Sequence, residues 1–220
     1  MLILETLLKL PFAFAAGVFL SVVSVVNPPS TVPIFLGLSN GMDERARARL
    51  ALRASAYCFY ILLASLFVGG IVMHFFGVSY GALRVAGGIV VGRLGYGLMY
   101  DKGPHHSPYR RNPAHGDVAF FPLAMPGITG PGTIAVVIGI STECRGVAGW
   151  SGELMAYTAS IAAMACVGLA EWLLLRNAIR VRDRLGPLGL EVMTRLSGFL
   201  MICVGVQFIA TGIRTLVLEH

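Results

Sequence analysis

The segment Asn27-Pro28-Pro29-Ser30-Thr31-Val32-Pro33 lies inside a long apolar run and carries three prolines in seven residues. A proline has no N–H group, and its ring clashes with the carbonyl group four residues earlier, so an unbroken α-helix cannot pass through this segment. The flanking residues 12–26 and 34–38 nevertheless have the composition of membrane-buried helices. We therefore predict a broken helix at membrane depth, where irregular backbone is tolerated only beside protein or a water-filled cavity.

A second segment of the same pattern occurs in the other half of the chain. Pro126-Gly127-Ile128-Thr129-Gly130-Pro131 shares the pattern Pro-x-x-Thr-x-Pro with residues 28–33. Two broken helices at corresponding positions are typical of a transporter whose binding site lies at the breaks. The alternative is a pair of proline kinks whose backbone groups are satisfied by neighbouring helices.

The composition is that of an integral membrane protein. Of the 220 residues, 56% are hydrophobic and 13% are charged, whereas soluble domains carry about 25% charged residues. The four cysteines are scattered, without the spacing of a metal or redox site. Glycine is abundant, and Gly88-x-x-x-Gly92 with Gly95 predicts close packing between helices.

The apolar segments predict six transmembrane spans. They cover approximately residues 12–38, 54–75, 80–100, 117–140, 150–175 and 188–216, with breaks at 27–33 and 126–131. Eleven Lys and Arg residues lie in the connections after spans one, three and five, against three on the other side. By the positive-inside rule, those connections are cytoplasmic and both termini lie on the outer face. We expect the first apolar segment to be a span rather than a removed signal peptide.

Short matches relate the first half of the chain to the second. Besides the two breaks, Arg84-Val85-Ala86-Gly87 early in the third span matches Arg195-Leu196-Ser197-Gly198 early in the sixth. A unit of three spans crosses the membrane an odd number of times, so its copy enters from the opposite side. We therefore predict an all-α membrane protein of two inverted three-helix repeats, 1–100 and 117–220. A cytoplasmic linker loop at 101–116 joins them within a single membrane domain.

The breaks would place backbone polar groups at the centre of the membrane. A helix that restarts there presents free N–H groups and the positive end of its dipole, which suit a carboxylate. We expect these donors near Thr31, Val32, Ile34 and Phe35 in the first span and near Gly130, Gly132 and Thr133 in the fourth. The helices that end at the breaks expose carbonyl groups, from 23–26 and from 121–125, which suit an ammonium group or a proton carrier.

The predicted substrate-binding site combines residues of both breaks. They are Asn27, Pro28, Ser30, Thr31, Thr129, Gly130, Gly132 and Thr133. The Asn, Ser and Thr side chains supply neutral hydrogen bonds, and glycine lets a ligand approach the backbone closely. An amino acid carries a carboxylate and an ammonium group in one small molecule, so it matches both ends of such a site.

Ionisable side chains within the spans are few, namely Arg84, Arg93, Glu171 and Arg195. We place all four near span ends, where snorkelling or ion pairing accounts for them, with Arg93 alone deep enough to need a partner. A direct role in substrate binding is the alternative. We see no acidic residue beside either break, so the sequence does not identify a proton carrier.

Other chemistries have little support in the sequence. Asp101, His105, His106, His115 and Asp117 lack the spacing of a known metal site, and we predict no metal. The spans contain no nucleophile–base pair, His-Glu-x-x-His motif or carboxylate pair, so we predict no catalytic residue, no enzymatic activity and no cofactor. The net charge of +6 reflects topology signals at the lipid surface rather than a nucleic-acid partner.

The chain resembles the MarC family, also described as the SnatA-type small neutral amino acid transporters, over nearly its whole length. The resemblance depends on Asn27-Pro28 with Pro33-Ile34-Phe35, on Arg84-Val85-Ala86-Gly87-Gly88-Ile89, and on Phe120-Phe121-Pro122-Leu123-Ala124-Met125-Pro126 followed by Gly130-Pro131-Gly132. It implies a bacterial inner-membrane protein with six spans, inverted repeats and discontinuous first and fourth helices. Family members characterised as transporters move glycine, alanine and similar neutral amino acids with a cation gradient. Many members have Gly-Asn where this chain has Ser30-Thr31, so the side chains at the proposed site differ.

We therefore predict a secondary transporter of small neutral amino acids, which binds its substrate at the two breaks while one repeat moves against the other. The implied partners are the amino acid, the lipid bilayer and a coupling cation, H⁺ or Na⁺. The alternatives are an exporter or channel for another small solute and a structural membrane protein that transports nothing. The sequence does not determine the direction of transport, the coupling ion or the oligomeric state.

Overall fold

The computed structural model describes residues 2–100, 117–147 and 149–218. These residues form seven α-helices and one π-helical segment, with no strand among them. The α-helices are α1 (Leu2–Val26), α2 (Pro28–Leu38), α3 (Glu44–Phe76), α4 (Tyr80–Tyr100), α5 (Pro131–Gly146), α6 (Trp150–Arg176) and α7 (Ala178–Leu218). The π-helical segment (Ala119–Ile128), called the π segment below, lies between α4 and α5. The predicted all-helical fold is confirmed, and the predicted linker loop at 101–116 lies outside the described residues.

Four helices are long and apolar enough to cross a membrane without a break: α3, α4, α6 and residues Leu188–Val217 of α7. Phe12–Val26 of α1 together with α2 makes a fifth candidate span, which bends by 42°. The predicted fourth span consists of the π segment and α5, whose 10 and 16 residues are each too short to cross alone. The full count of six spans and the inverted repeat therefore stay predictions.

Local sequence signals set the helix ends. The Asp43 carboxylate accepts a hydrogen bond from the Ala46 N–H at 3.2 Å and caps α3, so this helix begins at Glu44, well before the predicted position 54. Gly77 ends α3 with a φ of 64°, a conformation that glycine adopts without steric cost. A kink at Gly186, with φ 66° and ψ 178°, separates the start of α7 from its apolar part.

The apolar side chains divide between an inner core and an outer surface. The core contains Val22 of α1, Phe35 of α2, Leu62 of α3, Leu123 of the π segment and Met164 of α6, each at most 1% exposed. Large apolar side chains also cover the outside, where Phe75 and Trp150 are 81% and 82% exposed. A surface of this kind is matched by the hydrocarbon of a bilayer rather than by water.

Helices α4 and α7 touch through their backbones along a row of glycines. Three pairs face each other, Gly81 with Gly212, Gly88 with Gly205 and Gly95 with Gly198, at intervals of seven residues on both helices. A Cβ atom built on Gly88 would lie 2.6 Å from the Gly205 carbonyl oxygen, so no larger residue fits. The predicted packing role of Gly88 and Gly95 is confirmed, whereas a Cβ atom on Gly92 would meet nothing within 4 Å. This contact joins the third helices of the two predicted repeats.

Candidate functional site

The first break consists of Asn27 alone, between α1 and α2. Asn27 adopts the left-handed conformation, with φ 47° and ψ 66°, which asparagine tolerates better than most residues. Its Nδ2 donates to the Ser197 carbonyl group of α7 at 3.1 Å, and its carbonyl oxygen accepts from the Ser30 N–H and hydroxyl groups at 2.9 and 2.8 Å. The Val23 carbonyl group, predicted to be free, accepts from the Asn27 N–H at 2.9 Å. The break is thus held on both sides.

The helix after this break begins earlier than predicted. Pro28 and Pro29 occupy its first two positions, where a missing N–H leaves no hydrogen bond unmade, and Pro33 lies inside the helix. The N–H groups of Val32, Ile34 and Phe35 therefore lie past the first turn of α2, where acceptors four residues earlier are in reach. The described hydrogen bonds include none from the Thr31 N–H to the Asn27 carbonyl group. The prediction of free donors is therefore wrong for Val32, Ile34 and Phe35, because the proline pair starts the helix before them, and it stays a prediction for Thr31.

The second break follows the π segment at Thr129 and Gly130. Within the segment, Phe121 and Met125 have extended backbones, with φ/ψ of −122°/126° and −129°/121°, because the proline after each disfavours the helical conformation. The Ala124 carbonyl group, predicted to be exposed, accepts from the Thr129 N–H at 2.8 Å, so that prediction is wrong for Ala124. Gly130 then caps α5 in an extended conformation, and a proline again takes the first helical position.

The beginning of α5 supplies the free donors that the sequence predicts for the second break. The first N–H of this helix with a backbone acceptor is that of Ile134, which donates to the Gly130 carbonyl group at 3.1 Å. The described hydrogen bonds include none from the N–H groups of Gly130, Gly132 and Thr133. These donors and the positive end of the helix dipole favour an anionic group at this point.

Gly132 and Gly87 pack α5 against α4. A Cβ atom on Gly132 would overlap the Val91 side chain, and one on Gly87 would lie 3.3 Å from the Gly132 Cα atom. The space predicted for a ligand beside Gly132 is therefore filled by Val91 in this conformation. Gly87 ends the motif that the sequence matches to residues 195–198, so the second break contacts one copy of this motif and the first break contacts the other.

Glu171 of α6 lies directly at the first break. Its Oε1 atom is 2.5 Å from the Thr31 hydroxyl oxygen, and both side chains are 0% exposed. Glu171 does lie close to the end of α6 at Arg176, but the prediction that snorkelling or ion pairing accounts for it is wrong, because its side chain is fully buried and is in none of the described ion pairs. The related prediction that no acidic residue lies beside a break is wrong as well, because helix packing joins two residues that are 140 positions apart.

A signal for this location is present in α6. Its buried residues are Ala156, Ser160, Ala163, Met164, Val167, Gly168, Glu171 and Leu175. They recur at intervals of three and four and so form one face of the helix. The glutamate lies on the same face as the small and apolar residues, which indicates burial rather than a position toward the lipid headgroups.

Two buried oxygen atoms at the breaks have no hydrogen-bond partner. Glu171 Oε2 and the Thr129 hydroxyl oxygen are buried without a hydrogen bond. Cys58 of α3 neighbours the Thr129 hydroxyl and lies within electrostatic range of Glu171. Thr31, Cys58, Thr129 and Glu171, called the buried polar cluster below, therefore bring side chains from both breaks together.

The three predicted arginines lie away from this cluster. Arg195 pairs with Glu191 at 2.6 Å, and the Arg84 guanidinium lies 4.4 Å from the centre of the Tyr80 ring. These positions agree with the predicted ion pairing and interfacial roles. Arg93 is exposed at the surface of the helix bundle, and none of the described ion pairs includes it, so the prediction that it lies deep enough to need a partner stays a prediction.

A cavity of about 420 Å³ opens at the charged beginning of α3, away from both breaks, and includes Arg49, Arg53 and Asp117 in its lining. The Asp117 carboxylate accepts from Arg53 and from the Tyr57 hydroxyl at 2.6 and 2.8 Å, which joins α3 to the start of the π segment. The histidines weighed with Asp117 as metal ligands lie at 105–115, outside the described residues. Within the described ranges, no group of three His, Cys, Asp or Glu side chains could hold a metal.

Apart from the half-buried Pro28, the predicted site residues are buried in this conformation. Thr31 and Thr129 are 0% exposed, Thr133 is 2%, Ser30 is 3% and Asn27 is 8%. A solute could reach the buried polar cluster only after the helices around it move apart. The described conformation is therefore an occluded one.

Comparison with known proteins identifies relatives of the whole chain. The model of the MarC family, described as integral membrane proteins, matches residues 12–217. The inner membrane protein MarC of Citrobacter koseri is 34% identical over 201 residues, which cover 88% of this chain and 90% of the relative. The protein of the same name from Salmonella typhimurium is 34% identical over 204 residues, with the same coverage. No solved structure matches the chain.

Proposed function

The chain belongs to the MarC family of integral membrane proteins, and from this premise we propose that it is a secondary transporter of small neutral amino acids in the bacterial inner membrane. The family membership, the relatives named as inner membrane proteins and the apolar helices support a multi-pass membrane protein. The substrate class, the six spans, the inverted repeats and a location of both termini on the outer face are parts of the proposal.

The observation that carries the proposal is the set of unsatisfied polar groups buried at the two breaks. The N–H groups of Gly130, Gly132 and Thr133 have no described acceptor, while Thr129 Oγ1 and Glu171 Oε2 have no partner. Buried polar groups without partners cost about 1–3 kcal/mol each. A ligand that accepts from these N–H groups and donates to the Thr129 hydroxyl oxygen would remove most of this cost, and an amino acid does both.

In this arrangement, the substrate carboxylate lies at the start of α5. The N–H groups there point toward an anion, and the helix dipole adds a favourable potential. The ammonium group faces the Thr129 hydroxyl oxygen. The proposal needs no catalytic step, no cofactor and no resident metal.

The contacts between the halves support inverted repeats and a moving boundary between them. The first break is bonded to α7 through Asn27 and Ser197, and the second contacts α4 through Gly132 and Gly87. Each break thus contacts the third helix of the other predicted repeat. Rocking one repeat against the other would change both contacts together, as alternating access requires.

Thermal unfolding and transport test the proposal together. Glycine or alanine should raise the unfolding midpoint of the purified protein, because a ligand that binds only the folded state stabilises it by about 2.7 kcal/mol at one hundred times its dissociation constant. The same amino acids should show saturable counterflow in proteoliposomes. Thr133→Val should weaken both effects, while the control Thr142→Val changes an exposed residue of the same helix.

Three results would count against the proposal. If folded protein shows neither a thermal shift nor uptake with any amino acid, the substrate class is wrong. Solute flux that does not saturate would indicate a channel. Saturable transport of a different solute would show that the protein is a carrier but that the proposed substrate class is wrong.

A further inference from the structure

The Thr31 hydroxyl group has one proton and two neighbouring acceptors. Its oxygen lies 2.7 Å from the Pro28 carbonyl oxygen and 2.5 Å from Glu171 Oε1. A carbonyl oxygen can only accept, whereas a protonated carboxyl group can also donate. When Thr31 donates to Pro28, its contact with Glu171 is a hydrogen bond only if Glu171 provides the proton. Both contacts are satisfied at once by a protonated Glu171.

Among the residues that the structure describes, no Lys or Arg side chain pairs with Glu171 to balance an ionised carboxylate. The described ion pairs are Arg53–Asp117, Arg182–Asp183 and Arg195–Glu191, and none of them includes Glu171. An ionised carboxylate buried without a counter-charge costs several kcal/mol, so such a group takes up a proton instead. The occluded conformation therefore favours the neutral acid.

Few titratable groups lie on the helix faces that pack against α6. Residues 12–26 of α1 and all of α2 contain none, and α3 presents Cys58. The Cys144 thiol of α5 lies 3.4 Å from the Ser160 hydroxyl group of α6. Its neighbours Glu143 and Arg145 lie near the beginning of α6, where Arg145 is 3.3 Å from the Tyr157 hydroxyl. At the start of α7, Arg180 bonds Asn177, and Arg182 pairs with its neighbour in sequence. Glu171 is thus the one acidic group of the buried polar cluster.

We propose that Glu171 carries the coupling proton of the transport cycle and that Thr31 links its protonation to the first helix break. The proposal deepens the proposed transport function and rests on it. The Glu171 carboxylate takes a proton from water on the side to which the breaks are open and becomes the neutral acid in the occluded conformation. It releases the same proton to water on the opposite side. On release of the proton, the Thr31 hydroxyl group turns from the Pro28 carbonyl group to the Glu171 carboxylate. The hydrogen bonds in the first turn of α2 therefore change with the protonation state of Glu171.

Glu171→Gln tests this assignment because glutamine resembles the protonated acid and cannot release a proton. In proteoliposomes without a gradient, the variant should still exchange labelled glycine or alanine. Its accumulation of substrate driven by a pH gradient should fall to the level of protein-free liposomes, and the substrate-dependent pH change should disappear. The control Glu153→Gln alters a glutamate in the first turn of the same helix and should behave as the unmodified protein.

Several outcomes would overturn the proposal. Accumulation by Glu171→Gln equal to that of the unmodified protein would show that another group carries the proton. If a sodium gradient drives accumulation by the unmodified protein and the pH does not change, the coupling ion is Na⁺ rather than a proton. If Glu171→Gln neither binds nor exchanges amino acids, Glu171 is a ligand of the substrate ammonium group instead of a proton carrier.

A second measurement does not depend on transport. The infrared spectrum of the unmodified protein at neutral pH should contain the C=O stretching band of a buried carboxylic acid. That band should be missing in Glu171→Gln and present in Glu153→Gln. Its absence from the unmodified protein would overturn the proposal even if amino acids are transported. If the band is present but the protein transports no amino acid, Glu171 is protonated as proposed and only the proposed transport function fails.

Discussion

Asn27 of the first break donates a hydrogen bond from Nδ2 to the Ser197 carbonyl group of α7 at 3.1 Å, across 170 positions of sequence. This bond fixes the side chain of the residue whose backbone is left-handed. The break is therefore a specific structure joined to the opposite half of the protein, and two separate properties of Asn27 maintain it: its tolerance of positive φ and its amide donor.

Substitution of Asn27 should separate these two properties. Asn27→Gly loses the side-chain hydrogen bond, worth about 1 kcal/mol, but keeps the left-handed backbone without steric cost. Asn27→Ala loses the bond and also pays about 1–2 kcal/mol for a left-handed residue with a Cβ atom. Thermal unfolding of the purified variants should rank the unmodified protein first, the glycine variant second and the alanine variant last. An alanine variant as stable as the glycine variant would contradict the described backbone at this position.

The sequence predicts the helices well where a local signal sets their ends. The third span was expected at 80–100, and α4 covers Tyr80–Tyr100, because polar and glycine residues flank an uninterrupted apolar run. The breaks were located but not resolved in detail. Three prolines predicted an interruption over 27–33, whereas Pro28 and Pro29 start a helix and the interruption is Asn27 alone.

The role of Glu171 could not be predicted because it depends on packing between distant helices. Its position in α6 near a run of arginines suggested an interfacial residue. Only the contact between α6 and α2 shows that its side chain reaches Thr31. The site prediction likewise missed Cys58, which lies on a third helix, since no pattern in the sequence shows which face of α3 meets the breaks.

The glycine row between α4 and α7 should be intolerant of any added side chain. Gly88→Ala would place a Cβ atom 2.6 Å from the Gly205 carbonyl oxygen, so the helices must separate, and overpacking of this kind costs about 1–3 kcal/mol. Gly17→Ala is the matched control, because nothing lies within 4 Å of its Cβ position. A helical Gly→Ala change there should be neutral or stabilising by up to about 1 kcal/mol. Equal unfolding midpoints for the two variants would contradict the described helix contact.

The free N–H of Gly130 can be removed with little change of the backbone. Gly130 has a φ of −85° and a ψ of 175°, close to the values that proline adopts, so Gly130→Pro deletes the donor and keeps the shape. A hydrogen bond to a charged group is worth about 1.5–3 kcal/mol, and the dissociation constant of glycine should rise about 10- to 150-fold. Gly130→Ala keeps the donor and should bind more tightly than the proline variant in calorimetric titrations. Equal affinities would exclude this N–H from carboxylate binding.

Cys58 offers a probe for the opening of the occluded site. It is 0% exposed and neighbours Thr129, so a membrane-permeant maleimide should modify it slowly in a variant that retains Cys58 alone. Addition of a transported amino acid should accelerate the modification, because turnover exposes the breaks to water. Cys166, which is exposed on the outer face of α6, provides the control in a second single-cysteine variant. Its rate should not respond to substrate, and a Cys58 rate equally insensitive to a transported substrate would argue against movement at the breaks.

The contact between Thr31 and Glu171 should appear as a coupling energy in a double-mutant cycle. Thr31→Val removes the hydroxyl group at nearly constant volume and leaves Glu171 with no described hydrogen bond, which should cost about 1–3 kcal/mol. Glu171→Met removes the carboxyl group, so Thr31 keeps only its bond to the Pro28 carbonyl group. Once either partner is gone, loss of the other should cost less, and the double variant should be more stable than the sum of the single changes predicts by about 0.5–3 kcal/mol.

Denaturant unfolding in detergent measures the free energies of unfolding of the four proteins in the cycle. Thr31→Val and Glu153→Gln serve as a distant control pair, whose effects should be additive. Additivity between Thr31 and Glu171 would mean that the two side chains do not share a hydrogen bond in the folded protein, and the link between the proton site and the first break would be lost.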